Sequence, residues 1–199
     1  MNVTAIILDF GGIFVTWEES FGARLARAFS APLEEMQAAL WDVLPQVQKK
    51  DAPPLFTLFQ PYLKKWRTHI DEGEFVRLLY LGTKVEPDVC AWVKGLRDAG
   101  LKTFILSTTF HERVEYYRRT APEIFAAVDE AYSSCYTGVE KPDPRAWQQI
   151  LEEWQLAPEE VIYFDNEDAN IEAAEALGIK AIHWPGLENA KILVSSKLA

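Results

Sequence analysis

Asp9, Ser107, Thr108, Asp165 and Asn166 each close or follow a short apolar run. Lys141 stands in the segment Gly138-Val139-Glu140-Lys141-Pro142-Asp143-Pro144. Carboxylates, hydroxyls, an amide and an ammonium are the groups that supply nucleophiles, proton transfer and fixed charge. Each one alone has a plain structural alternative. An Asp ahead of Gly11-Gly12 is a common turn former, and Ser107 suits a helix cap. Lys141 suits a solvated loop, and Asp165 or Asp168 suits a turn or N-cap. Their shared placement argues for function, because turn formers have no reason to fall at three strand ends of one sheet.

The strands that must bring them together are readable. Residues 4–8, Thr4-Ala5-Ile6-Ile7-Leu8, form an apolar run closed by glycines, which predicts a buried strand ending at Asp9. Further strands are predicted over 102–106, ending at Ser107-Thr108, over 131–133, over 161–164, ending at Asp165-Asn166, and over 180–183. Helical spacing lies between them, at Val89, Trp92, Val93 and Leu96 and again at Trp147, Ile150, Leu151 and Trp154. Asp143-Pro144 reads as an N-cap followed by Pro at the first helical position, and Gly100 and Gly178 suit helix C-termini. Strand–helix alternation predicts an α/β fold, a Rossmann-like parallel sheet with helices on both faces. In such sheets ligands bind beyond the carboxyl ends of the strands, where these residues fall.

Residues 17–82 break the alternation. They carry helical spacing, as at Leu33, Met36, Leu40 and Leu44, an exposed loop at Lys49-Lys50-Asp51-Ala52-Pro53-Pro54, and no convincing strand. An inserted all-helical module is expected over 16–84, with the core formed by 1–15 and 85–199.

Composition narrows the class. The 199 residues are 49% hydrophobic and carry a net charge of −10, from 20 Lys and Arg against 30 Asp and Glu. An acidic surface repels nucleic-acid backbones and anionic lipid, so a small-molecule partner is expected, with no nucleic acid and no membrane. Cys90 and Cys135 form no CxxC or Cys/His arrangement, which predicts no disulfide framework and no zinc site and fits a reducing cytoplasm. No signal peptide or membrane span is predicted.

The constellation resembles the haloacid dehalogenase superfamily of hydrolases, in the phosphatase-like branch with a helical cap. That family's first strand ends in a nucleophilic Asp within D-x-D-G, and here Ile6-Ile7-Leu8-Asp9-Phe10-Gly11-Gly12-Ile13 stands in its place. Its second motif, a strand ending in Ser or Thr, is matched by Phe104-Ile105-Leu106-Ser107. Its Lys motif is matched by Lys141-Pro142-Asp143-Pro144. Its acidic pair, D-D-x-x-x-N, reads Asp165-Asn166-Glu167-Asp168-Ala169-Asn170. The resemblance covers nearly all of the chain outside 17–82, where the family inserts its cap.

The resemblance implies Asp9, Ser107 and Lys141 as catalytic residues, with Gly12, Thr108 and Lys141 contacting the substrate. It implies Mg²⁺ held by a set drawn from Asp9, the Gly11 carbonyl, Asp165 and Asn166, with the choice within the last pair open. Counting predicted strands along the chain, it implies the order 5-4-1-2-3. Cap residues such as Trp17, Phe21, Arg24 and Trp66 become candidates for specificity.

Two positions depart from the pattern. Gly11 replaces the Asp that protonates the leaving group, a loss of about 10²–10⁴-fold for poor leaving groups. Asn166 replaces a metal-ligating carboxylate and brings an oxygen without charge. Three readings therefore stand: a Mg²⁺-dependent phosphatase of small phosphate monoesters working through an aspartyl-phosphate, a 2-haloacid dehalogenase using the same Asp9, and a catalytically weakened fold kept for binding.

Overall fold

The computed structural model describes residues 3–198; residues 1–2 and 199 of the expected core segments lie outside it. The apolar run at the start becomes β1 (Ala5–Leu8), the centre of a parallel five-stranded sheet. A pair of short strands, β2 (Val15–Trp17) and β3 (Thr83–Val85), lies outside that sheet. β4 (Lys102–Ser107) and β6 (Val161–Asp165) flank β1, while β5 (Glu130–Ser133) and β7 (Lys180–His183) form the edges. The order β5-β4-β1-β6-β7 is the one the resemblance implies, read from the other edge.

Strand alternation sorts the core into two faces. Ala5, Ile7, Phe104, Leu106, Val161 and Tyr163 point one way. They pack on Trp147 and Ile150 of α9 (Arg145–Trp154), which follows the short helix α8 (Ser134–Thr137), and on Ala174 of α10 (Asp168–Ala176). Ile6, Leu8, Ile105, Ile162 and Phe164 point the other way. They meet Val89 and Val93 of α5 (Pro87–Asp98), Tyr117 of α6 (His111–Thr120), Ile124 of α7 (Pro122–Ala126) and Val194 of α11 (Leu187–Leu198). Central strands covered on both faces read as unbroken apolar runs, which is why they were legible.

Register sets the site. Leu8 is level with Ile105 of β4 and with Phe164 of β6. One residue further on, Asp9 and Asp165 leave the sheet side by side, with Ser107 at the end of β4.

Four helices connect β2 to β3: α1 (Phe21–Ala28), α2 (Leu33–Val47), α3 (Leu55–Lys65) and α4 (Glu72–Tyr80). Ser20 caps α1 by accepting from Ala23 N (3.3 Å), and Asp71 caps α4 by accepting from Glu74 N (2.8 Å). Their apolar faces meet in a pile of rings, with Phe75 5.6 Å from Phe29 and 5.5 Å from Phe59. This pile belongs to the same buried cluster as the Ile6–Leu8 face of the sheet.

Two sequence expectations need correction here. β2 and β3 were not anticipated, and they straddle the expected boundaries at 16 and 84. They pair antiparallel, Val15 with Val85 and Trp17 with Thr83, so the two ends of the insertion lie side by side. Three-residue strands carry no readable period, so only pairing between distant segments defines them. Helix α9 begins at Arg145 with Pro144 as its cap residue; the Asp143 carboxylate still accepts from Arg145 N at 3.0 Å. Among the described residues, no helix is long and apolar enough to cross a membrane.

Candidate active site

Asp9 follows β1 and is tied to the sheet by its N–H, which donates to Phe164 O at 2.9 Å. Its carboxylate is 16% exposed, and Oδ1 accepts from Lys141 Nζ at 2.7 Å. Lys141 arrives from the loop before α9, across a cis peptide to Pro142. Its backbone N–H donates to Thr108 Oγ1 (2.9 Å), which fixes that loop against the end of β4. The ammonium donates further to Asp165 Oδ2 at 2.6 Å and to Tyr163 Oη at 3.2 Å. An ammonium has three donors, and here all three are spent.

Asp165 is fully enclosed. Oδ2 accepts from Lys141, from the Tyr163 hydroxyl and from Asn170 Nδ2 (3.1 Å), while Oδ1 accepts from Glu167 N (2.8 Å). Burial works against its charge, but the Lys141 ammonium and these hydrogen bonds outweigh it and hold the carboxyl below the ordinary carboxylate range. Burial drives the Tyr163 phenol well above its ordinary range, with Asp165 and Asp9 adding to the effect, so it stays a donor. Lys141 and Asp165 are 4% and 0% exposed, and together with Asp9 they put two carboxylates against one ammonium.

Gly11 and Gly12 form the turn over which the site opens. Gly12 has φ +75°, and its N–H donates to Val15 O at 2.7 Å. A Cβ at Gly12 would collide with the Asn166 amide, so both the left-handed backbone and the close approach require glycine. Asn166 Nδ2 donates to Gly11 O at 2.9 Å. A Cβ at Gly11 would stand 3.1 Å from Trp17 Cη2 and 3.2 Å from Arg113 Nη2. The direction that a side chain at position 11 would take is therefore filled by an indole from β2 and a guanidinium from α6.

Asp9, Gly11, Ser107, Thr108, Lys141 and Asn166 line one cavity of about 480 Å³. That size lies within the range of roughly 300–1,000 Å³ typical of small-molecule sites. Asp165 stands behind this wall, beneath Lys141, and Gly12 lies beneath Asn166. Trp17, Gln48 and Arg113 add to the lining from β2, the end of α2 and α6, and Pro142, Glu167, Ala169 and Asn170 complete it. Of the residues singled out in the insertion, Trp66 lies away from the site, its indole donating to Glu35 at 2.8 Å.

Sequence reasoning did not single out Tyr163, Asn170, Arg113 or Gln48. Asn170 has a signal, the final position of the D-D-x-x-x-N spacing. Tyr163 reads as one more apolar strand residue, and Arg113 as an ordinary charge on a helix.

The donor set can be tested against Mg²⁺. Among the described residues no group of three or more His, Cys, Asp and Glu gathers to hold a metal. Both Asp165 oxygens are occupied by protein donors. Asp9, the Gly11 carbonyl and Asn166, once its amide turns its oxygen inward, remain. One carboxylate with two neutral oxygens fits Mg²⁺ bound jointly with a substrate phosphate and waters rather than a self-sufficient protein cage.

Residues 3–178 match the family model of haloacid dehalogenase-like hydrolases, and the chain belongs to that family of enzymes. It is 26% identical over 191 residues to a phosphatase of Mycobacterium tuberculosis, covering 91% of this chain and 87% of that protein. It is 32% identical over 105 residues to acyl-CoA dehydrogenase family member 10 of Mus musculus; that match spans 50% of this chain and only 9% of the mouse protein. Among solved structures it superposes on a haloacid dehalogenase family enzyme of Bacteroides thetaiotaomicron with TM-score 0.82 at 15% identity, covering 97% of this chain and 99% of that one. The complex of that enzyme with magnesium and inorganic phosphate superposes with TM-score 0.77 at 15% identity, covering 91% and 93%. At these identities the structural likeness establishes the fold.

Proposed function

We propose that this hydrolase cleaves small phosphate monoesters, with Asp9 as the nucleophile. The observation that carries the reading is the Asp9–Lys141 pair: a carboxylate on the wall of a substrate-sized cavity, with one oxygen held at 2.7 Å by a buried ammonium. The mycobacterial phosphatase and the magnesium–phosphate complex of the Bacteroides enzyme support it by similarity.

In the first step the unheld oxygen of Asp9 attacks phosphorus. The new O–P bond forms as the ester P–O bond breaks, and the leaving oxygen takes the electron pair and then a proton from water. In the second step water attacks phosphorus, the bond to Asp9 breaks, and its carboxylate is restored. Inorganic phosphate departs, with the proton of the attacking water passing to phosphate or solvent. Lys141 orients Asp9 and offsets charge as anion meets anion. Asp165, Tyr163, Asn170 and the Thr108 hydroxyl act as positioning residues for Lys141. Ser107 holds a phosphate oxygen. Asp9, the Gly11 carbonyl and the Asn166 amide oxygen are the residues that would hold Mg²⁺, which when bound supplies further positive charge at the phosphate. We read residues 16–84 as the cap, and 3–15 with 85–198 as the core.

One observation favours the dehalogenase reading. Asn166 gives its amide N–H to Gly11 O, an arrangement that needs no metal. There Asp9 would attack carbon, the halide would leave with the bonding pair, and water would hydrolyse the resulting ester. A screen of phosphate esters with and without Mg²⁺, run beside 2-haloacids with chelator, separates the two. Phosphate release that needs Mg²⁺ and falls by about 10⁴-fold or more in Asp9→Asn supports the phosphatase reading. Halide release indifferent to chelator would replace it.

A further inference from the structure

A second cavity, of about 160 Å³, lies between the insertion and the core. It shares Trp17, Gln48, Thr108 and Arg113 with the cavity at Asp9, so the two adjoin along those residues. Its remaining walls are mostly apolar, with Phe21 of α1, Leu44 of α2, Leu79 of α4 and Phe110 ahead of α6. Cavities of ~150 Å³ with apolar walls hold a benzene-sized ligand.

Three residues that line this cavity each carry a buried polar atom with no partner. Of the five buried side-chain N and O atoms without a hydrogen bond among the described residues, three, Arg24 Nε, Tyr80 Oη and Thr109 Oγ1, are carried by residues of its lining. These residues are 7%, 5% and 3% exposed. Native interiors rarely leave such atoms unpaired, and three of them around one cavity lack a partner from the protein itself. The Arg24 guanidinium otherwise meets neutral carbonyls, with Nη1 donating to Leu79 O (3.2 Å) and Leu81 O (2.7 Å). Among the described residues neither Arg24 nor Arg113 stands within ion-pair distance of a carboxylate. In a chain of net charge −10, two guanidiniums without counter-ions on one small cavity point to an anion.

We propose that this cavity binds a compact apolar carboxylic acid about the size of one six-membered ring, and that the substrate is a phosphate ester of such an acid. The carboxylate meets Arg24, Tyr80 and Thr109, and the ester oxygen reaches the Asp9 cavity past Arg113. Acid binding stands on the second cavity alone. Only the ester rests on the phosphatase reading.

Benzoate and its neutral isostere benzamide test the cavity without any chemistry at Asp9. In calorimetric titrations benzoate should bind the wild-type protein and Asp9→Asn alike, and benzamide about tenfold or more weakly, the cost of losing charge-assisted hydrogen bonds. Tyr80→Phe and Thr109→Val remove hydroxyls that have no partner in the free protein. They should therefore keep or raise its melting temperature while weakening benzoate binding about fivefold or more. Failure of benzoate to bind the folded wild-type protein, or equal binding of benzamide, would overturn the proposal. So would a lower melting temperature together with undiminished benzoate affinity in both variants. Turnover then separates the two readings. A higher kcat/KM for 4-carboxyphenyl phosphate than for phenyl phosphate, lost in Tyr80→Phe, supports the ester. Benzoate binding with no turnover of any phosphate ester would sink the phosphatase reading and leave the acid site standing. Equal turnover of both esters without benzoate binding would do the reverse.

Discussion

Lys141 meets three acceptors, and two of them are the charged oxygens of Asp9 and Asp165. Replacing it with Met keeps most of the side-chain volume but leaves Asp165 buried with no counter-ion. Breaking a buried pair in this way costs about 3–5 kcal/mol, so denaturant unfolding of Lys141→Met should show a loss of that order along with lost turnover. A stability change below about 1 kcal/mol, the range of surface ion pairs, would return Lys141 to the solvated-loop reading. At Asn166 an Asp would set a carboxylate oxygen against Gly11 O, where an N–H now bonds at 2.9 Å. Asn166→Asp should therefore melt lower than wild type without metal and gain more from Mg²⁺, because a second carboxylate would strengthen the oxygen set that would hold the ion. Equal Mg²⁺-induced shifts in the two proteins would remove this position from the metal set. Arg113 occupies the space that a side chain at Gly11 would enter, and its charge can support a departing oxygen that has no built-in acid. Arg113→Gln should steepen the fall of kcat with rising leaving-group pKa across aryl and alkyl phosphates. An unchanged slope with chemistry rate-limiting would mean that the leaving group is served from elsewhere.

The insertion reaches the site by packing as well as by chain connection. Phe29, Phe59 and Phe75 pile together inside α1–α4, and the cluster they belong to runs on into Leu8 and Phe164 of the sheet. Phe59 is fully buried, and its truncation to Ala should cost about 3–5 kcal/mol. Because the cluster is shared, Phe59→Ala should lower a single denaturation midpoint seen alike by near-ultraviolet and far-ultraviolet dichroism. Two separated transitions would show that the insertion folds on its own. The β2–β3 pair contributes differently, by holding Trp17 beside Thr83 so that the indole lies against Gly11. The strand that joins insertion to core thus also supplies part of the cavity wall.

Taken together, a chain of net charge −10 sets on one of its cavities two guanidiniums that, among the described residues, have no carboxylate partner. Arg24 and Arg113 line the smaller cavity, whose walls carry no carboxylate, and so give an anionic ligand a local positive site within an acidic protein. Its thiols are kept out of chemistry. Burial pushes Cys90 and Cys135 up to about 11, with Glu123 adding to the effect at Cys90 and Glu112 at Cys135. A thiol pKa raised on folding stabilises the protein below the ordinary thiol value, and that contribution is lost as pH rises through about 11. Stability should therefore fall between roughly pH 9 and 11, and iodoacetamide at pH 8 should label either thiol only at the rate of unfolding. Rapid labelling of the native protein would contradict the burial of both groups.

What could be read along the chain was whatever lies within a residue or two of a strand end. Asp9, Ser107, Asp165 and Asn166 were found that way, since buried parallel strands announce themselves as apolar runs and their register carries the next residues to a common edge. Lys141, well past the end of β5, was marked instead by its Lys-Pro-Asp-Pro segment. The helical insertion was legible for a similar reason, its spacing being local. The roles of partners that meet only through packing were not legible. That Asp165 is saturated by Lys141, Tyr163, Asn170 and Glu167 depends on side chains converging from a loop, a strand and a helix start. Arg113 reaches Gly11 only through the packing of α6 against the turn after β1, and Arg24 and Tyr80 share a cavity with Thr109 only once insertion and core have closed on each other. Hydrophobic period is a property of neighbouring residues, whereas a cavity and its unpaired donors belong to surfaces that the chain brings together from far apart.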